Sequence, residues 1–487
     1  MCCTSQHFAR FIAVSVLVLL FSFCFAQPIS AEVVNYKINS PLVSGGNVQA
    51  GFSISPDNSR VVYSADYGAD GVFELYSVPI NGGLVTRLNN PLVAGGDVLF
   101  GFSISPDSSR VVYRADQDRD NVFDLYSVPI NGGKVSKLNI SLVNGGNVGF
   151  GFSISPDSRR VVYSADQQRD NVFELYAVPI AGGTLSKLNT SLITGGDVLS
   201  DFSISHNSRR VVYRADKDTD GVVNLYSVSI AGGHITRLNN SLVAGGNVLS
   251  DFSISPDSRR VVYSADQQTD NVFELYSVPI GGGRVTRLNS RLVRKDAVWF
   301  QFSISPDSKQ VVYRANQDTD NVFELYSVPI GGGRVTKLNS PLAVGGEVYF
   351  QFFISPDSQW VVYRADQDRD NVFELYSVPI GGGPVTRLNS PLFAGGNVGL
   401  GFTISPDSSR VVYSADQDTD NVFELYSVPI GGGPVTKLNR PLVAGGEVQA
   451  DFSISPDSSR VVYRADQDTD SVFELYSVPI RGGSKSK

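Results

Sequence analysis

From Val448 onward the chain alternates, with Phe452 and Ile454 on one side of VQADFSIS and Asp451 and Ser453 on the other. That period of two predicts a half-buried strand, here called strand A. Ser455-Pro456-Asp457-Ser458 supplies turn chemistry, because proline presets φ and aspartate bonds its own backbone. Arg460 to Ala465 (RVVYRA) is β-branched and aromatic and predicts strand B. An acidic loop, Asp466 to Ser471, leads to VFELYSVPI (Val472 to Ile480), apolar on both faces, which predicts a strand C enclosed between neighbouring sheets. In complete copies a glycine pair such as Gly432-Gly433 makes a hairpin turn into a short strand D, Val435 to Leu438. Pro441 to Gly446 then carries the chain to the next strand A. No segment has a helical period.

This unit recurs every 50 residues. Phe52, Phe102, Phe152, Phe202, Phe252, Phe302, Phe352, Phe402 and Phe452 all hold the same place in strand A. So strict a period signals a solenoid, a propeller or an array, and four short antiparallel strands in about 40–50 residues describe a propeller blade. The ends of the chain extend the argument. The last copy stops after strand C, at Arg481 to Lys487, while residues 33–39 (VVNYKIN) match a strand D with no A, B or C before it. Pairing the two would complete the last blade and remove exposed sheet edges. The expected fold is all-β: a single β-propeller of about nine four-stranded blades over residues 32–487, closed by the N-terminal strand at about 33–39.

The first 31 residues differ from the rest. Phe11 to Phe25 is a continuous apolar run after Arg10, and small residues follow at Ala26 and Ala31. This predicts a signal peptide, cut after Ala26 or Ala31, and a periplasmic or secreted product. The run is short for a membrane span of about 20 residues. All three cysteines (Cys2, Cys3, Cys24) lie in this leader, so the mature chain holds no thiol chemistry. The net charge of −8, without a basic patch, argues against a nucleic-acid partner.

SPDSSRVVY followed by FELYSVPIGGG resembles the WD40-like (PD40) repeat of TolB-type propellers, over about residues 33–487. The resemblance implies an exported β-propeller that serves binding and protein–protein contact. Related propellers precede an α/β-hydrolase domain in prolyl-oligopeptidase-like peptidases, but no G-x-S-x-G occurs here. The separate N-terminal domain of TolB is also missing.

Two sets of residues carry candidate chemistry. In the acidic loops, carboxylates fall at positions 1, 3, 5 and 9, a spacing that resembles the calcium loops of integrin-type propellers. Full sets are Asp116, Asp118, Asp120 and Asp124; Asp366, Asp368, Asp370 and Glu374; Asp416, Asp418, Asp420 and Glu424; and Asp466, Asp468, Asp470 and Glu474. Bound calcium is one expectation, and an Asx-rich turn that satisfies its own N–H groups is the other. The second set lies where copies diverge: Arg294, Lys295, Trp299, Phe300 and Gln301, then Tyr349, Phe350 and Gln351. Aromatics beside an arginine, placed before or early in strand A near one rim, predict a recognition patch. Packing between blades would use the same aromatics.

His206 and His234 sit on turns with no second ligand in view. Asn139, Asn189 and Asn239 form N-x-S/T sequons.

Two functions from different classes follow. A monomeric, non-catalytic scaffold would recognise a protein or a polysaccharide, since near-identical copies supply the same groups nine times. A hydrolase or lyase acting in the central channel would use carboxylates such as Asp201, Asp251 and Asp451, although no nucleophile–base pair accompanies them.

Overall fold

A computed structural model describes residues 38–49, 51–290, 292, 301–471 and 474–482. The leader lies outside this range, as do residues 33–37 of the expected closing strand. Arg294, Lys295, Trp299 and Phe300 of the expected patch also fall outside it.

Blade two shows the unit: strand A at Val98–Ile104, B at Arg110–Ala115, C at Asp124–Pro129 and D at Ser136–Lys137. Each strand pairs antiparallel with the next in sequence. Eight such four-stranded sheets and a ninth of three strands follow one another, so the chain is a nine-bladed all-β propeller. Strand D is two residues long, shorter than its sequence suggests. In blade nine, strands A to C are described (Val448–Ile454, Arg460–Ala465, Glu474–Pro479). Of the segment expected to complete that blade, only Ile38 and Asn39 are described. Neither is in a strand, and Ile38 packs with Leu42 on the Val61, Tyr63 and Tyr76 cluster of blade one.

No blade has a core of its own. Val212, Leu225 and Leu238 of blade four pack on Val248, Val261, Tyr263 and Val278 of blade five, and equivalent clusters join the other neighbours. Burying one such side chain contributes about 1.5–3 kcal/mol. Because each hydrophobic face is covered by the next repeat, stability is a sum of interfaces. Within a blade, the strand B and C tyrosines sit opposite each other and stack, as Tyr113 does on Tyr126 at 5.5 Å between centroids.

Two further features shape the blades. Strand A bulges: Val98 pairs with Ala115 and Phe102 with Tyr113, so four steps on A match two on B. Such a bulge bends the strand and re-aims its side chains. The Ser-Pro-Asp-Ser turns stitch neighbours together. The Asp357 N–H donates to the Ser408 hydroxyl one blade on, and the same bond links Asp107 to Ser158 and Asp257 to Ser308. These serines hold a left-handed backbone (φ +61° at Ser408), which L-residues other than Gly, Asn and Asp rarely adopt. Blade one has Asn58 there. The turn aspartate is engaged as well: the Ser55 hydroxyl first, then that of Ser59, lowers Asp57 to about 2. A depressed carboxylate stabilises the fold above its ordinary range, and the effect fades as pH falls toward that value.

Replacing Ser408 separates the two effects. Ser408→Ala loses a hydrogen bond of about 1 kcal/mol and keeps the strained backbone. Ser408→Gly loses the same bond but relieves about 1 kcal/mol of left-handed strain. Calorimetry should show a lowered Tm for alanine and a nearly unchanged one for glycine; an unchanged Tm for alanine would refute the stitch, and equal losses would refute the strain.

Candidate functional site: the central cavity and its acidic rim

The linker before strand A and the acidic loop after strand B meet on one rim. In blade seven the first aspartate of the loop, Asp366, joins them: its Oδ1 accepts the Glu347 N–H at 2.6 Å and its Oδ2 the Asn371 N–H at 3.0 Å. Asp116 does the same with Asp97 and Asn121, and Asp416 with Asn397 and Asn421. Asp466 does it with Glu447 and Ser471. Burial raises the pKa of Asp466, but these N–H groups outweigh it and the net shift is downward. Asn121, Asn371 and Asn421 take the left-handed turn (φ about +60°).

The other carboxylates of the loops point elsewhere. Asp370 lies against Gly345 of the linker, where an added Cβ would stand 2.9 Å from its Oδ1; Asp120, Asp420 and Asp470 meet Gly95, Gly395 and Gly445 likewise. That close approach explains the linker glycines. Asp118 and Asp418 face Lys137 and Lys437 at 3.4 and 3.5 Å. Asp468 accepts from the Tyr476 hydroxyl, and Asp368 acts on Tyr376. Asp124 binds Lys137 and Asn139, Glu374 binds Arg387 and Tyr376, and Glu424 binds Lys437 and Tyr426. Glu474 opens strand C of blade nine. A calcium ion needs six to eight oxygens around one point. Here the set is divided among separate partners, and among the described residues no three His, Cys, Asp or Glu side chains converge as a metal site.

The strand A bulges deliver a different site. Residues of strand A from blades five to nine line one cavity of about 820 Å3. Phe252, Phe302, Phe352, Phe402 and Phe452 supply its aromatic wall, and Gln301, Gln351, Ser253, Ser303 and Thr403 its polar groups. Of the expected patch, Gln301, Phe350 and Gln351 therefore come together here. Phe350 is 44% exposed and packs on Tyr349 at 4.4 Å between centroids. Tyr349 itself turns to the blade's own Phe373 and Arg364.

The channel carboxylates fare unequally. Asp201 is bound by Arg214 and Asp451 by Arg464, each from strand B of its own blade. Asp251 lines the cavity opposite Ser264, where the arginine is missing, and burial by the cavity walls raises its pKa. His206 and His234 are exposed turn residues, and the sequon residues Asn139, Asn189 and Asn239 are buried, each accepting the N–H of a strand C leucine.

Two features escaped the sequence reading. Phe353 replaces the usual serine of strand A, is 39% exposed and meets Phe402 edge to face. A column in strand B alternates between serine (64, 164, 264, 414) and arginine (114, 214, 314, 364, 464). The arginines reach the next blade: Arg114, Arg314 and Arg364 donate to the carbonyls of Val148, Val348 and Val398. Reading the copies column by column would have exposed both.

No family model matches the chain, and no curated protein matches it. Among solved structures it is similar to a putative TolB from Agrobacterium tumefaciens, with 20% identity over 52% of this chain and 83% of that one (TM-score 0.30). It is also similar to an oligogalacturonate lyase in complex with manganese (14% identity, 78% and 96% covered, TM-score 0.38). Dipeptidyl peptidase 4 of Porphyromonas gingivalis matches at 11% identity, with 85% and 64% covered and a TM-score of 0.49. The nine sheets make this chain a β-propeller. Among the described residues no helix is long and apolar enough to cross a membrane.

Removing the first loop aspartate should cost more than removing the second. Asp366→Ala strips acceptors from two backbone N–H groups, about 1–3 kcal/mol each, whereas Asp368→Ala touches one exposed contact. Melting curves should rank them so, and should coincide in calcium and in chelator. A rise of several degrees with calcium would show that the loops gather around an ion.

Proposed function

We propose that this protein is an exported, non-catalytic binding propeller that recognises a protein partner over the central cavity. The observation that carries this reading is the cavity wall itself. Five blades present phenylalanine faces ringed by amide and hydroxyl groups, with Phe350 standing out as an exposed aromatic. An aromatic centre with a polar surround is the composition of a protein-binding hot spot. Phenylalanine offers no hydroxyl or indole N–H to a sugar, which favours a peptide over a polysaccharide. Hydrolysis or elimination would need an acid and a base in distinct roles. Asp201 and Asp451 are neutralised by arginines of their own blades, which leaves Asp251 without a second carboxylate beside it. The apolar leader at 1–31 supports export.

Peptides selected from a random display library on the full-length protein test this reading. Phe350→Ala with Gln351→Ala should weaken the selected peptides by about thirtyfold, the loss of one hot spot of about 2 kcal/mol. Peptides that bind the double variant unchanged would overturn it. So would an oligosaccharide array that gave the only binder sensitive to those substitutions, and that result would favour a polysaccharide.

A further inference from the structure

The alternating serine–arginine column leaves a vacancy that is chemically specific. At the junction of blades six and seven, Arg314 lies 3.9 Å above the Phe323 ring, donates through Nε to the Val348 carbonyl and pairs through Nη2 with Glu347 at 2.8 Å. A guanidinium held by a ring face, a carbonyl and a carboxylate has each of its preferences met. At the junction of blades eight and nine, the same three partners recur as Phe423, the Val448 backbone and Glu447, but residue 414 is serine. A cavity of about 490 Å3 opens there, lined by Ser414, Phe423, Glu447, Val448, Gly399 and Gln449 and, on its blade-seven side, by Arg364 and Phe373.

Gly399 keeps the space clear, because a Cβ there would stand 2.8 Å from Ser414 Oγ and 3.1 Å from the Phe423 ring. In blade seven the same position is Tyr349 and the slot is filled by Arg364, which sits over Phe373 and donates to Val398. Blade seven's linker offers Arg314 its acid in Glu347, whereas the linker after Arg364 offers Asn397. Glu447 is thus the acid of a pair whose arginine the chain does not supply. Its recorded contact is the Gln449 amide at 2.5 Å.

We propose that the cavity between blades eight and nine binds a guanidinium group from outside the chain, in the place that Arg314 fills two blades earlier. Phe423 provides the floor, the Val448 carbonyl and Glu447 the acceptors, and Gln449 a flanking amide. The group is carried by an arginine side chain of a peptide or by a free arginine derivative. Leu400 and Ala450 line both this slot and the central cavity, so the two adjoin. The slot goes beyond the binding function proposed above and does not require it.

Calorimetric titration of the full-length protein with acetyl-arginine-methylamide, and with a hexapeptide carrying one central arginine, tests the proposal. The same two probes with citrulline, a neutral isostere, are the reference. The arginine probes should bind at least ~10-fold tighter than the citrulline ones, and Glu447→Gln should abolish that preference. Ser414→Arg should fill the slot and remove binding while keeping or raising the Tm. Where this variant fails to fold, Glu447→Gln alone decides. Preference for the peptide over the single residue identifies a partner chain as the source, and equal affinity identifies a free arginine derivative. Equal binding of arginine and citrulline, no binding of either, or a preference that survives Glu447→Gln would overturn the proposal. None of those results touches the selection against Phe350 and Gln351, so the two readings fail separately.

Discussion

The first aspartate of the acidic loops, replaced by Asn316 in blade six alone, is the joint on which these blades depend. One carboxylate accepts two backbone N–H groups, one from the linker before strand A and one from its own loop, as Asp366 does for Glu347 and Asn371. A charged acceptor shared this way is worth about twice a neutral one and fixes two segments against each other. Strand A must then cover more chain than strand B between fixed points, and the surplus becomes the bulge between Val348 and Phe352. That bulge carries Phe350 and Gln351 to the cavity wall. A structural hydrogen bond on the rim thereby positions the candidate site.

This joint also shows what the D-x-D-x-D spacing does in the fold besides resembling a calcium loop. Spacing records which oxygens are near in sequence, not which donors compete for them. Here the competitors come from outside the loop: the Glu347 N–H for Asp366, Arg387 for Glu374. The blade itself was legible because alternation, turn residues and β-branched runs are local properties. VQADFSIS, RVVYRA and VFELYSVPI each declared a strand, and the 50-residue period declared their number. Contacts between copies were the illegible part. Nothing in SPDS announces that its last serine serves the preceding blade, as Ser408 serves Asp357.

Repetition hides function and also reveals it. Where all copies agree, the shared residues serve packing within and between blades, as the Tyr113–Tyr126 stack and the Leu225–Val261 cluster do. A consensus position cannot distinguish one part of the ring from another. Specificity has to arise where copies depart from the consensus and leave an interaction incomplete. Glu447 beside Ser414 is such a place, holding a carboxylate without the arginine that answers Glu347.

Replacing a buried arginine while its carboxylate stays charged leaves an uncompensated group, a change that destabilises by about 3–5 kcal/mol when the site is closed to water. Blade seven avoids the mirror problem, since Arg364 faces Asn397 and rests on Phe373 and Tyr349. Blade eight avoids overcrowding through Gly399, which keeps the slot open where a side chain would close it. The serine, the glycine and the glutamate favour the same outcome. Together they keep a charged slot accessible, so that an external cation completes the network that Arg314 completes internally.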